Sequence, residues 1–176
     1  MLAAIEDPNP VMIFEHKALY RSLTGMVPEN YYLTPIGKAK LVEEGKELSI
    51  ITYGMGVHWA KKAIKEKNIS ADILDLRTLL PIDKDSMFES VKKTNKVLVL
   101  HEDCLTGGIG GEISSLINEN CFEYLDAPIV RCASMDTPVP FASDLEDQFL
   151  ALKKKVEEKY EPIEARDLFT NYDHRK

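Results

Sequence analysis

Apolar positions recur along the second half of the chain in two alternating rhythms. Residues 48–53 (LSIITY), 71–76 (ADILDL), 97–100 (VLVL) and 127–132 (APIVRC) are short, nearly continuous apolar runs, as strands buried on both faces are. Between them the spacing changes to three and four residues. Val57, Ala60, Ala63 and Ile64 predict a helix over 57–67, and Ile113, Leu116 and Ile117 predict another over 112–123. Asp83 follows Pro81 and is placed to cap a helix ending near Lys93. Ser143, with Glu146 three residues on, predicts a last helix running to about Tyr160. Strands alternating with helices give a mainly parallel sheet covered on both faces, an α/β fold.

The first 47 residues follow neither rhythm. Residues 1–6 read as the tail of a helix, stopped by Asp7-Pro8-Asn9-Pro10, and residues 11–14 as a short strand. Such a pair cannot bury its own faces. The expectation is that the chain begins inside a larger domain or that these elements cross to a partner. Residues 15–47 hold Pro28, Pro35, Gly25, Gly37 and Gly45 without periodicity, yet keep Leu19, Tyr20, Met26, Tyr31 and Tyr32. That is too long for an ordinary connection and too apolar for a disordered tether. It reads as a strap across a surface, with His16, Lys17 and Arg21 solvated or paired with carboxylates of a neighbouring domain. The expected organisation is thus 1–14 a domain remnant, 15–47 an interdomain strap, 48–160 the α/β domain, and 161–176 a polar tail.

Composition narrows the function classes. The chain has 176 residues, 44% of them hydrophobic, and a formal charge of −7. An acidic balance without clustered Lys and Arg argues against nucleic acid and against an anionic membrane surface. No apolar run approaches the roughly 20 residues a membrane helix needs. Cys104, Cys121 and Cys132 fit no zinc spacing, and their odd number suits a reducing compartment.

Candidate chemistry gathers in two strand-to-helix turns. Gly54-Met55-Gly56 has the start of a dinucleotide fingerprint, with Asp75 on the next strand as its acidic partner, but Trp59 stands where a third glycine is needed. A tight turn without ligand is the better reading. His58 and Trp59 on the following helix then read as interface residues, since large aromatics are enriched at subunit contacts. His101, Glu102 and Asp103 end the 97–100 strand, ahead of Gly107, Gly108, Gly110 and Gly111. The triplet has the residue types of an acid–base set, yet three consecutive residues cannot all face one centre. Capping the turn and pairing across an interface is preferred. Cys104 sits in the same turn, where a helix N-terminus is the only feature that would activate a thiol. The glycines serve either close packing or, through backbone N–H groups, a small anion.

Five stretches together resemble one family: IEDPNPVMIFEHKALYR (5–21), LSIITYGMGVHWA (48–60), DILDLRTLLPID (72–83), VLVLHEDCLTGGIGGEI (97–113) and APIVRCASMDTPVPF (127–141). They are similar to beta subunits, or fused beta halves, of thiamine-diphosphate-dependent 2-oxo acid dehydrogenases. The FE-x-K-x-LYR and HE-x-x-LTGG forms resemble the branched-chain type. The resemblance implies a transketolase C-terminal domain, a three-layer α/β/α sandwich on a mainly parallel five-stranded sheet, preceded by the end of a pyrimidine-binding domain. It implies a parent that decarboxylates a 2-oxo acid oxidatively and passes the acyl group to lipoamide, in the bacterial cytoplasm or the mitochondrial matrix. Thiamine diphosphate and magnesium belong to that parent. The family's catalytic glutamate and histidine and its cofactor and metal ligands match no position here, so no catalytic, cofactor or metal residue is assigned and no cofactor is expected on the chain alone. Implied partners are an alpha subunit or alpha half, a second beta subunit in a homodimer, and the lipoyl acyltransferase core. His58, Trp59, His101, Glu102, Asp103, Gly107, Gly108, Gly110 and Gly111 are the expected interface residues. Two alternatives stand beside this: a stand-alone regulatory module binding a small anion in the 104–112 turn, and a transketolase-type enzyme such as deoxyxylulose-phosphate synthase.

Overall fold

A computed structural model describes residues 1–149, apart from the side chain of residue 147. The expected end of the last helix and the 161–176 tail lie outside the described residues. Five strands and six helices follow in order: α1 (Leu2–Glu6), α2 (Leu19–Ser22), β1 (Lys40–Glu43), β2 (Leu48–Thr52), α3 (Met55–Lys67), β3 (Ala71–Asp75), α4 (Lys84–Thr94), β4 (Val97–Cys104), α5 (Ile109–Cys121), β5 (Val130–Ser134) and α6 (Ser143–Phe149).

The strands form one sheet in the order β1-β3-β2-β4-β5. β3, β2, β4 and β5 are parallel, and β1 is antiparallel at the β3 edge. Successive parallel strands move outward in opposite directions from the β2–β4 pair, which is therefore the topological switch point. Each face of the sheet carries its own core. On one, Val57, Ala60 and Ala63 of α3 meet Ile50, Ile73, Leu98 and Leu100. On the other, Met87 and Val91 of α4 and Ile113 and Ile117 of α5 meet Ile51, Leu74 and Val99. Each such Val, Leu, Ile or Met side chain, fully buried, contributes about 1.5–3 kcal/mol. This is the expected α/β/α architecture.

The ends of the helices follow local chemistry. Asp83 accepts hydrogen bonds from the backbone N–H of Ser86 (3.3 Å) and its hydroxyl (2.9 Å), and so caps α4. Asn68 and Asn95 close α3 and α4 in the left-handed region at φ 53° and 61°. Beneath α4, the buried carboxylate of Asp72 accepts from Gly45 N–H (2.9 Å), Ser90 Oγ (2.8 Å) and Lys93 Nζ (2.6 Å), tying the β1–β2 turn to the helix.

Two expectations change. Residues 11–14 form no strand, and Phe14 is 86% exposed. Residues 40–43, left inside the strap, are instead the edge strand β1, paired with β3 through Lys40–Asp75 and Leu41–Leu74. The sheet domain therefore begins before residue 48, and the strap ends near Gly37, whose N–H donates to Thr78 Oγ1 at 3.1 Å.

Candidate functional site

The carboxyl ends of β2 and β4 lie side by side, each leading into a glycine turn and a helix. This crevice at the switch point is where open α/β sheets present functional groups. Both expected clusters of residues converge on it.

β4 is longer than the apolar run implied. It continues through His101, Glu102 and Asp103 to Cys104, with an irregularity in its pairing to β5 between Leu100 and Cys104. Strand alternation then separates the triplet. His101 is 0% exposed. Glu102 is half-buried and faces the strap, where His16 Nε2 lies 3.0 and 3.2 Å from its two carboxylate oxygens. Asp103 is exposed and accepts from the Cys104 N–H at 2.7 Å. The three do not form one acid–base centre. His16, expected to be solvated or paired with a carboxylate of a neighbouring domain, pairs with Glu102 of the sheet domain, 86 residues away.

The His101 ring lies directly under the first turn of α5. A Cβ on Gly110 would stand 2.4 Å from His101 Nε2, and one on Gly108 would stand 2.6 Å from Cε1 and 2.3 Å from the Cys104 carbonyl oxygen. Only glycine allows this approach. Gly110 and Gly111 belong to the first turn of the helix rather than to the preceding loop. Gly107, at φ 78°, needs the left-handed region with nothing crowding it. Close packing, against a side chain as well as backbone, is thus what Gly108 and Gly110 serve. His101, Gly108 and Gly110 lie beneath the surface, whereas Glu102, Asp103, Gly107 and Gly111 reach it.

The anion reading of this turn has a direct answer. Asp136, just past β5, accepts from the Thr106 N–H and hydroxyl, both at 2.8 Å. Those two bonds, with the Leu105 N–H and nearby Arg131, hold its carboxyl below the usual carboxylate range. Arg131 Nη1 also donates to the Leu105 carbonyl at 3.1 Å. The turn already contains an anion, and it belongs to the protein. Asp136, Thr106 and Arg131 were not singled out from sequence: they meet only through the β4–β5 pairing.

Around β2, burial raises the Tyr53 phenol, helped by the carboxylates of Asp103 and Glu102. Burial likewise raises Asp75, against the opposing Arg77 N–H and the charges of Arg77, His58 and Lys40. Half-buried His58 thus sits near Asp75, and Trp59 packs partly onto the core of its own domain beside Val42 and Ile64. Gly56 is required where it stands, since a Cβ there would meet Thr52 Oγ1 at 2.1 Å. Cys104 is half-buried, with Sγ 3.8 Å from the Thr137 carbonyl oxygen, and no disulfide forms among the described residues.

No group of three His, Cys, Asp or Glu able to hold a metal ion occurs among the described residues. Asp136 takes the Leu105 and Thr106 N–H groups and the Thr106 hydroxyl at the start of this turn. No described residue is assigned to thiamine diphosphate or its metal, and no chemical step is routed through them. A groove of about 660 Å³ lies at the opposite end of the sheet, by Glu43, Glu47, Lys61, Lys65, Asn68 and Ser70. Its acids and lysines offset one another. No helix among the described residues is long and apolar enough to cross a membrane.

Comparison with known proteins fits this arrangement. Residues 37–156 match the family described as "Transketolase, C-terminal domain". The chain is 44% identical over 159 residues to the 2-oxoisovalerate dehydrogenase subunit beta of Bacillus subtilis, covering 88% of this chain and 49% of that protein. It is 41% identical to the acetoin:2,6-dichlorophenolindophenol oxidoreductase subunit beta of the same organism, over 89% of this chain and 46% of the relative. It is 38% identical to the mitochondrial 2-oxoisovalerate dehydrogenase subunit beta 2 of Arabidopsis thaliana, over 89% and 44%. The chain spans about half the length of these relatives. Among solved structures, a split-gene transketolase described as an inactive beta4 tetramer shares the fold with a TM-score of 0.62 at 23% identity, over 75% of this chain and 45% of that one.

Proposed function

The chain belongs to the transketolase C-terminal domain family, and from that premise we propose that it is the contact-building domain of the beta component of a 2-oxo acid dehydrogenase. The observation that carries this is the reach of the likeness. Identity to beta subunits of this class extends over 88% of the chain, more than the 37–156 family match takes in, and so includes residues flanking the domain. The family match leaves those residues out; the likeness to the beta subunits takes them in. The parent reaction is the oxidative decarboxylation of a 2-oxo acid, with acyl transfer to lipoamide. Thiamine diphosphate supplies the carbanion chemistry in the assembled enzyme. This chain's share is mechanical: it orders a strap and presents the carboxyl end of its sheet to neighbouring subunits.

The strap fits such a role. Met12, Phe14, Met26, Val27, Tyr31 and Tyr32 expose large apolar surfaces. His16, bound to Glu102, fixes one point of the strap over the strand ends. The partners in this reading are an alpha subunit, a second beta subunit and the lipoyl acyltransferase core. His58, Trp59, Glu102, Asp103, Gly107 and Gly111 are the proposed contact residues, supported from below by His101, Gly108 and Gly110. The compartment follows the relatives: bacterial cytoplasm or mitochondrial matrix. A turnover assay tests the reading. With 2-oxo acids, thiamine diphosphate and magnesium, the chain alone is expected to give no decarboxylation. An alpha subunit and the N-terminal half of a beta subunit, added together, are expected to restore it. Decarboxylation by the chain alone would overturn the proposal.

A further inference from the structure

His101 is the one fully buried titratable ring in the described chain, and the contact role gives it no chemistry. Neither ring nitrogen makes a hydrogen bond of good geometry, and the Asp103 backbone is the one hydrogen-bonding group close enough to favour a proton on the ring. The ring is clamped between β4 and the first turn of α5, with Gly108 and Gly110 each leaving only a glycine's worth of space. A neutral imidazole tolerates such a place. An imidazolium has two N–H donors to satisfy and a charge to solvate, and the Asp103 backbone can serve at most one of those donors. The charged groups facing it are few. Burial holds the ring below its ordinary range, with Arg131 of β5 acting the same way, against the Asp103 carboxylate and backbone of its own strand, which both favour a proton. The helix above presents its N-terminal, positive end, which also disfavours a cation.

The same ring underlies everything fixed at this end of the sheet. The turn above it carries the Thr106–Asp136 and Leu105–Arg131 bonds. Its neighbour Glu102 holds the strap and receives the Ser134 hydroxyl on its carbonyl. The fully buried side chains of the two cores run back along the strands from Leu100 and include no histidine.

We infer that His101 is an acid-sensitive latch: protonation drives the imidazole out from under α5 and opens the turn at residues 104–111 while the sheet remains folded. Opening is favoured by up to about tenfold for each pH unit that separates the free imidazole from the buried one. The inference stands on this chain's packing alone and is independent of the proposed dehydrogenase role.

Hydrogen exchange on the full chain, read by mass spectrometry at about pH 7.5 and about pH 5 and corrected for the intrinsic pH dependence of exchange, tests it across the range where imidazole titrates. Peptides covering 104–112 are expected to lose about tenfold or more in protection at the lower pH, while peptides from β2 and β3 keep theirs. His101→Leu removes the titration and keeps an apolar filler, and is expected to abolish the difference. Should that variant fail to fold, NMR of the wild-type ring decides. A His101 resonance titrating below the free value, with the Gly108 and Gly110 amide signals broadening in step, supports the latch. Titration at the free value, unchanged exchange in 104–112, an identical pH response in His101→Leu, or simultaneous loss of protection across the whole sheet would each overturn it.

Discussion

Gly110→Ala probes the packing of His101 more sharply than any other single substitution. The added Cβ would stand 2.4 Å from Nε2 and 2.7 Å from Cδ2 of the ring, against 3.5 Å from Val99 Cγ1, an ordinary contact. Optimal heavy-atom separations are about 3.5–4.0 Å, so the ring must retreat by about 1 Å, and it is fully enclosed. Overpacking of this kind costs about 1–3 kcal/mol. Alanine's helix preference returns up to about 1 kcal/mol. The net expectation is a loss of about 1–2 kcal/mol, or roughly 2–8 °C in midpoint. The clash has a single source, so removing the ring removes it. In a His101→Ala background, Gly110→Ala is expected to be neutral or to stabilise by up to about 1 kcal/mol. The coupling in the double-mutant cycle is then about 2 kcal/mol, with the double variant more stable than the two single losses imply. Urea unfolding at about pH 7.5, with unchanged m-values, is the assay. Additivity within about 0.5 kcal/mol would refute the claim that these glycines exist to admit the ring.

Further predictions use the same reasoning. Gly111→Ala, whose Cβ meets only Arg131 Nη1 at 3.6 Å in a helical position, should stabilise the chain by about 0.5–1 kcal/mol in the same unfolding assay. Asp72→Ala leaves the buried Gly45 N–H without its acceptor and strips one from Ser90 and Lys93, which keep Ser49 and Glu44, and should cost about 2–4 kcal/mol; a loss below about 0.5 kcal/mol would contradict the network. Asp136 binds its proton less readily in the folded chain because of Thr106, so its bonds stabilise above the unfolded carboxylate value and fade as pH falls through the folded one. A carboxyl NMR titration should place Asp136 below the ordinary range, and Thr106→Val should move it back up.

The parts of the fold legible in the sequence were those decided locally. Three of the buried parallel strands have continuous apolar runs at their cores, and α3 to α5 each show a one-sided apolar stripe. The cap at Asp83 needs only the residues beside it. What failed was decided at a distance. β1 is four residues, KLVE, mostly exposed, and becomes a strand because the β3 edge offers unpaired backbone. Residues 11–14 are apolar and β-prone, yet find no strand to pair with among the described residues, and propensity alone does not make a strand. The site divides in the same way. That His101, Glu102 and Asp103 serve different ends follows from alternation along a strand. That Asp136 binds Thr106, and that His16 reaches Glu102, depends on pairings the sequence does not announce.

In the proposed role the strap and the carboxyl end of the sheet are a contact surface and not a catalytic pocket. The most direct measurement is hydrogen exchange of the chain before and after addition of an alpha subunit and the N-terminal half of a beta subunit. Protection is expected to rise across residues 11–36 and 102–111 and to stay unchanged in β2 and β3. Unaltered exchange in the strap and the strand ends on mixing, or protection confined to the Glu43–Ser70 groove, would contradict the claim.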